Sequence, residues 1–399
     1  MRKSLIVAGA VAAATLASLS TVPAMAASSS GPGTLTVAVY GDAPYGTTPT
    51  DNSEFLATPA FINSINADPQ VRFVAHVGDI HSGKQFCTQQ YDESIANLWQ
   101  QYQKPLVYTP GDNEWTDCHK PGEGGGSYNA TTGQIDYVTD PATGQPVDYA
   151  GGDPIANLSL VRSLFFSQTG RTLGGGNMHV LSQAQVYDRN HPSDQQFVEN
   201  VIFERQDTLF VTLNLPGGSN NDADIWYGTP TRSAAQSQEI AERTGADLRW
   251  LDRAFSQARE DKVGSVVILE QADMWDLDGK TPAHVAGYEP FVASIASHTA
   301  DFAKPVLLFN GDSHVYRSDN PLSPSAGCTT EAPGGGETSC ASVAFVHPGY
   351  DVANFHRIVV HGSTFPLEWL KLTVNPEANY APGSNAFGPF TWQRMPQAS

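Results

Sequence analysis

Four aspartates follow apolar runs and share one local design: Asp42 in YGDAPYG, Asp79 in VGDIHSG, Asp112 in PGDNEW and Asp312 in FNGDSHVYR. Each comes directly after glycine, and the preceding runs (LTVAVY, VRFVAHV, PLVYT, PVLLF) are rich in β-formers. A strand that stops on Gly-Asp projects a carboxylate from its C-terminal edge, the edge at which open α/β sheets bind ligands. Taken alone, one such residue is a turn cap. Four together make an oxygen-rich cluster of the kind that hard divalent cations occupy.

The elements that must position them alternate. Runs at 34–40, 71–77 and 105–109 read as strands, and 55–67 and 91–103 read as helices. That β-α-β-α-β order predicts a layered α/β sheet. Residues 119–153 break the pattern, being rich in Gly, Pro, Thr and Asp without apolar periodicity. They read as a surface loop inserted into one domain spanning 34–399. A helix at 155–166 and strands at 201–204 and 209–215 follow. The helix at 244–261 places Leu248, Leu251, Ala254 and Phe255 on one face. After it come a strand at 266–270, a helix at 291–302 and a strand at 305–309, then tail strands at 342–346, 356–361 and 367–373.

Composition narrows the setting. Residues 1–26 read as an export signal, with Arg2 and Lys3 before an apolar core and Ala24-Met25-Ala26 as a cleavage site. A flexible segment at 27–33 follows, and a secreted or periplasmic protein is expected. A formal net charge of −19 disfavours nucleic acid and anionic membranes as partners, and nothing reads as inserting into a bilayer. A phosphorylated substrate would meet repulsion unless the site supplied positive charge locally, most simply from metal. The oligomeric state is not written in the chain.

Cys87, Cys118, Cys328 and Cys340 form an even set in an exported chain, which suggests two disulfides. Of three possible pairings, Cys87–Cys118 and Cys328–Cys340 are favoured. The first would staple the loops after the second and third Gly-Asp turns, and the second would close a Gly-rich loop. No C-x-x-C spacing points to zinc or redox chemistry.

In order, these motifs resemble the calcineurin-like metallophosphoesterases, the superfamily that includes purple acid phosphatases. The resemblance runs from about Leu35 to Arg317, through Asp42, Gly78-Asp79, Gly111-Asp112-Asn113-Glu114, Trp250-Leu251, Glu270 and Gly311-Asp312-Ser313-His314. It implies an αββα sandwich of two mixed sheets flanked by helices. It also implies a phosphoester hydrolase that activates water with two divalent metal ions and acts on a small-molecule phosphate ester. By position, Asp42 would bind the first metal and Asp79 would bridge both. Asp112 would replace the asparagine ligand of the second, and Glu270 and Asp312 would replace histidines. His314 keeps the histidine type at its position.

The departures run one way: acids stand where relatives carry histidine or amide. Five carboxylates and one imidazole favour Mn²⁺, Mg²⁺ or Ca²⁺ over zinc, with iron also compatible. The tyrosine that ligates iron in purple phosphatases would fall at Ser82, and Tyr45 is a candidate to stand in or to contact substrate. Asn113 occupies the position of the histidine that assists the leaving group, and an amide cannot deliver a proton. Glu114, His81 and His119 lie close by in sequence as alternative acids. Arg317 and Asn214 are candidate substrate contacts. The rival expectation is a binding protein that kept the scaffold and lost the chemistry.

Overall fold

The computed structural model describes residues 33–397; the export signal and residues 27–32 lie outside them. In chain order the strands are β1 (Leu35–Tyr40), β2 (Val71–His76), β3 (Leu106–Tyr108), β4 (Gly126–Asn129), β5 (Gln134–Tyr137), β6 (Leu181–Ser182), β7 (Val201–Arg205), β8 (Thr208–Thr212), β9 (Ser265–Leu269), β10 (Val306–Asn310), β11 (Arg317–Asp319), β12 (Cys328–Glu331), β13 (Glu337–Ser339), β14 (Phe355–Val359), β15 (Glu368–Val374), β16 (Ala386–Phe387) and β17 (Phe390–Pro396). They form a six-stranded sheet, β16-β17-β15-β1-β2-β3, and a nine-stranded sheet, β13-β12-β11-β14-β10-β9-β8-β7-β6. Both are mixed. β1, β2 and β3 run parallel and β15 antiparallel to them, while β8, β9, β10 and β14 run parallel and β7 and β11 oppose them.

Strand parity builds four layers. Val37, Val39, Phe73 and Ala75 meet Phe210, Val267, Leu269, Leu307 and Phe309 in a core between the sheets. The alternate residues Ala38, Tyr40 and Val74 pack outward on Phe61, Ile65, Ile95, Trp99 and Phe165. Those belong to the helices Ser53–Ala67, Gln89–Trp99 and Pro154–Phe165, or follow directly in their frame. On the opposite face, Val266, Ile268, Val306 and Leu308 pack against Trp250, Leu251, Phe255, Phe291 and Ile295. These come from the helices Ala234–Glu260 and Glu289–Phe302. The expected sandwich of two mixed sheets flanked by helices is thus the architecture of the chain.

Three local expectations are corrected. The run 342–346 is no strand: a turn closes it, with Val346 N–H donating to Val343 O at 2.9 Å, and Val346 is drawn into the helix-side core before Pro348-Gly349. The inserted 119–153 segment is not featureless, since β4 and β5 pair antiparallel within it. The helix expected from residue 244 begins at Ala234, where the Ser233 hydroxyl accepts from Gln236 N–H at 3.0 Å. Its first turns carry few apolar residues, so no stripe marked them. No helix of the described residues is long and apolar enough to cross a membrane.

Candidate metal centre

The parallel strands β1, β2, β3, β9 and β10 all deliver their next residues to one end of the sandwich. Asp42 follows β1, Asp79 follows β2, Asp112 follows β3, and Asp312 and His314 follow β10. Asp42, Asp79, Asp312 and His314 hold left-handed backbone angles, with φ of 50°, 61°, 73° and 63°. Such angles in non-glycine residues raise the energy by about 1 kcal/mol or more each and cluster at functional sites. The preceding glycines explain how the chain tolerates the crowding. A Cβ on Gly111 would strike the Asp79 carboxylate, and one on Gly311 would strike that of Asp42.

Backbone bonds lock the turns together. Asp42 N–H donates to Gly78 O at 3.0 Å, and Gly311 N–H donates to Gln271 O at 3.0 Å. Asp312 N–H donates to Asp42 Oδ1 at 2.8 Å, which joins the end of one sheet to the end of the other. Asp273 N–H in turn donates to Asp312 Oδ2 at 2.9 Å.

Ligand atoms of Asp42, Asp79 and His314 all come within 4.8 Å of one another. His314 Nε2 lies 3.6 Å from Asp42 Oδ1. Asp42 and Asp79 are buried, and Asp42 Oδ2 has no hydrogen-bond partner. Tyr45 O–H donates to Asp79 Oδ2 at 2.6 Å, and its ring stands edge-on to His314. Asn113 donates one amide hydrogen to the Tyr45 hydroxyl at 2.8 Å and the other to His81 O at 2.9 Å.

The residue that gathers the remaining carboxylates is Gln271, which the sequence analysis did not single out. Its side-chain amide donates to Asp79 Oδ2 at 3.2 Å and to Asp112 Oδ1 at 3.0 Å, while its carbonyl accepts from Gly217 N–H at 2.7 Å. Glu270, the candidate ligand, is fully buried with both carboxylate oxygens unpartnered, and like Asp112 and Asp312 it lies outside the 4.8 Å group of Asp42, Asp79 and His314. Parity could have shown this. Val267 and Leu269 face the other sheet and Val266 and Ile268 face the helices, so residue 271 continues the first series and residue 270 the second.

Electrostatics set the demand. No Lys or Arg bonds to Asp42, Asp79, Asp112 or Asp312 among the described residues. Arg357 is committed to Asp273 and Asp319, and Lys120 to Asp117 and Asp224. Burial, with neighbouring carboxylates adding to it, pushes the Asp42, Asp79 and Asp312 carboxyls well above the usual range. Burial, and then the Asp117 charge, pushes Asp112 up to about 8. Burial pulls His314 down to about 4, leaving a neutral imidazole able to ligate at neutral pH. A crowded, buried, acid-rich set with one neutral imidazole fits a hard divalent cation.

The other candidates are placed differently. Glu114 is buried and accepts from Gly111 N–H and Tyr108 O–H, so it braces the third turn from inside. His81 is buried with Nε2 unpartnered, and burial pulls it down to about 4. It approaches Glu123 and the sulfur of Cys87, but that sulfur is in a disulfide and offers no thiolate. His119 accepts from Tyr227 N–H at 3.0 Å. Asn214 is fully buried and donates to Glu199 at 2.8 Å. Arg317 pairs with Asp319 at 2.7 Å and donates to Ala341 O. Neither of the last two has a bond to the aspartate cluster. Ser82 donates to Gly46 O at 2.5 Å and supports the first turn. Both disulfides form with the favoured pairing, Cys87–Cys118 and Cys328–Cys340.

No family model matches the chain, and no curated protein does. Among solved structures it is similar to the purple acid phosphatase PPD1 isolated from yellow lupin (Lupinus luteus) seeds, at 11% identity and a TM-score of 0.39. The match covers 92% of this chain and 52% of that one, so the chain spans about half the length of that phosphatase.

Proposed function

We propose that the protein is an exported phosphoester hydrolase that uses a dinuclear divalent-metal site. The observation that carries this reading is the convergence of Asp42, Asp79 and His314 from three strand ends, with ligand atoms within 4.8 Å and no cationic side chain bonded to them. Asp42, Asp79 and His314 would hold one ion, and Asp79 and Asp112, tied together by Gln271, would face the second. Bound there, the metal pair would supply positive charge for the phosphoryl oxygens and a deprotonated water as nucleophile.

The chain's own groups do the rest. Tyr45 fixes the Asp79 carboxylate from one side and Gln271 from the other, so its lone pairs are aimed before any ligand arrives. Asp312 N–H holds Asp42 in place. Asn113 steadies Tyr45 but delivers no proton, so esters with good leaving groups are the expected substrates.

One observation favours a second reading, a binding protein on the same scaffold. Both amide hydrogens of Asn113 are already engaged, one by the Tyr45 hydroxyl and one by His81 O. Metal analysis and turnover separate the two. Aryl phosphate hydrolysis that requires Mn²⁺ or Mg²⁺ and disappears in Asp79→Ala supports the enzyme. A chain that binds no metal, and that neither ion rescues, refutes it.

A further inference from the structure

The segment from His361 to Pro366 touches the candidate centre with its backbone. Gly362 N–H donates to His314 O at 3.1 Å, and Ser363 N–H donates to Asp42 O at 2.8 Å. The same segment then forms one wall of a groove of about 710 Å³. Phe365 contributes that wall, and Val315, the residue after His314, also lines the groove. Both are apolar and open to solvent, Phe365 at 55% and Val315 at 46% exposure. Val315 and the 361–366 segment thus tie the wall of the groove to the backbone of two converging residues, and Phe365 and Val315 give it an exposed apolar face.

Its charges are arranged to refuse anions. The cations in the lining are Arg394 and His361. Arg394 is held by Glu331 at 2.7 Å and by Glu368 at 2.7 Å, and His361 is held by Glu331 at 2.9 Å. Neither is free to meet a second phosphate or a carboxylate on a ligand, and Glu337 adds another acid to the lining. An uncharged apolar group would lie against Phe365 and Val315 without losing ionic partners. A nucleotide's further charge would face carboxylates alone.

We propose that this groove is the leaving-group subsite for an uncharged aryl or alkyl portion of the phosphate ester, with Phe365 and Val315 as its specificity-determining residues. The proposal rests on the phosphoester hydrolase reading of the neighbouring centre. Removing an aromatic wall of this size changes discrimination between apolar ligands by about tenfold.

The test compares wild type with Phe365→Ala and Val315→Ser in the full exported chain loaded with Mn²⁺. The readout is the ratio of kcat/KM for 1-naphthyl phosphate to that for methyl phosphate, together with the KM and kcat behind it. The ratio is expected to fall about tenfold in Phe365→Ala, through KM. 4-Carboxyphenyl phosphate, whose leaving group carries a further negative charge, should be a poorer substrate than 1-naphthyl phosphate for the wild type. An unchanged ratio in both variants overturns the subsite while leaving the hydrolase reading intact. If the wild type turns over no ester, the hydrolase reading fails on its own, and calorimetry with 1-naphthylphosphonate decides the groove. Weaker binding in Phe365→Ala then supports it, and equal or absent binding overturns it.

Discussion

Replacing Asp112 by asparagine should stabilise the cation-free protein at alkaline pH and reduce its response to metal. Asp112 Oδ1 accepts from Gln271 at 3.0 Å, and an asparagine keeps an acceptor oxygen for that bond. The wild-type carboxyl is pushed from 3.8 to about 8, by burial first and the Asp117 charge second. The sign follows from a folded-state value above the unfolded one. Below pH 4 both states hold the proton and stability is complete; as pH rises the unfolded chain ionises first, and stability is lost until the native group follows near 8. At about 1.36 kcal/mol per unit, the ceiling at pH 9 is about 6 kcal/mol. Because the proton is shared across a cluster, roughly half of that, about 3 kcal/mol, belongs to this one substitution. In a domain of this size it corresponds to a Tm gain of about 4 °C. Thermal melts in chelator should therefore show Asp112→Asn above wild type at pH 9 and level with it below pH 4. With millimolar Mn²⁺ the gap should narrow, because the wild type gains more from binding than a variant that keeps Asp42, Asp79 and His314 but has a neutral residue at 112. A variant that is less stable than wild type in chelator at pH 9 would refute the reasoning, since the carboxylate would then be satisfied without a cation.

Other substitutions probe the surroundings. Tyr45→Phe removes the hydroxyl that donates to Asp79 at 2.6 Å, and it should weaken Mn²⁺ affinity by about tenfold in a calorimetric titration while leaving the fold intact. Opening the disulfide Cys87–Cys118 with paired serines frees a 31-residue span and should reduce unfolding free energy by about 4 kcal/mol in urea titrations. Arg357→Met strands the buried carboxylate of Asp273 and leaves Asp319 with Arg317 alone, and should cost about 3–5 kcal/mol at neutral pH. Burial raises Asp319, but Arg357 and then Arg317 outweigh it and hold the carboxyl below its ordinary value. That contribution is present above the unfolded carboxyl range and lost in acid, so the gap between wild type and variant should narrow below pH 4 in matched melts.

Much of the arrangement could be read from local pattern. Asp42, Asp79, Asp112 and Asp312 announce themselves because a glycine and a carboxylate after a β-run combine turn geometry with a projecting charge. The sandwich follows from β-runs alternating with helical stripes, as at Val37 and Val39 against Ala38 and Tyr40. What was not legible depends on partners far away in sequence. Arg317 looked free for substrate, yet besides pairing with Asp319 it donates to Ala341 O, a partner 24 residues on. Asn214, near the end of the strand expected at 209–215, looked like a substrate contact, yet Glu199 claims it inside a buried polar network. Gln271 escaped because motif order pointed one residue earlier, to the acid at 270. The alternation of β9 carried the needed information, but only after the two faces of that strand had been assigned to different cores.

The bond from Asp312 N–H to the Asp42 carboxylate spans the seam between the two sheets. A cation held by Asp42, Asp79 and His314 would fasten the same seam, drawing on both halves of the sandwich at once. Loading and closure would then be one event: loosening the inter-sheet core around Phe73 and Phe210 would loosen the grip on such an ion, and its removal would let that end of the sandwich relax. Metal affinity would then serve as a gauge of how tightly the two sheets are pressed together, readable without any substrate.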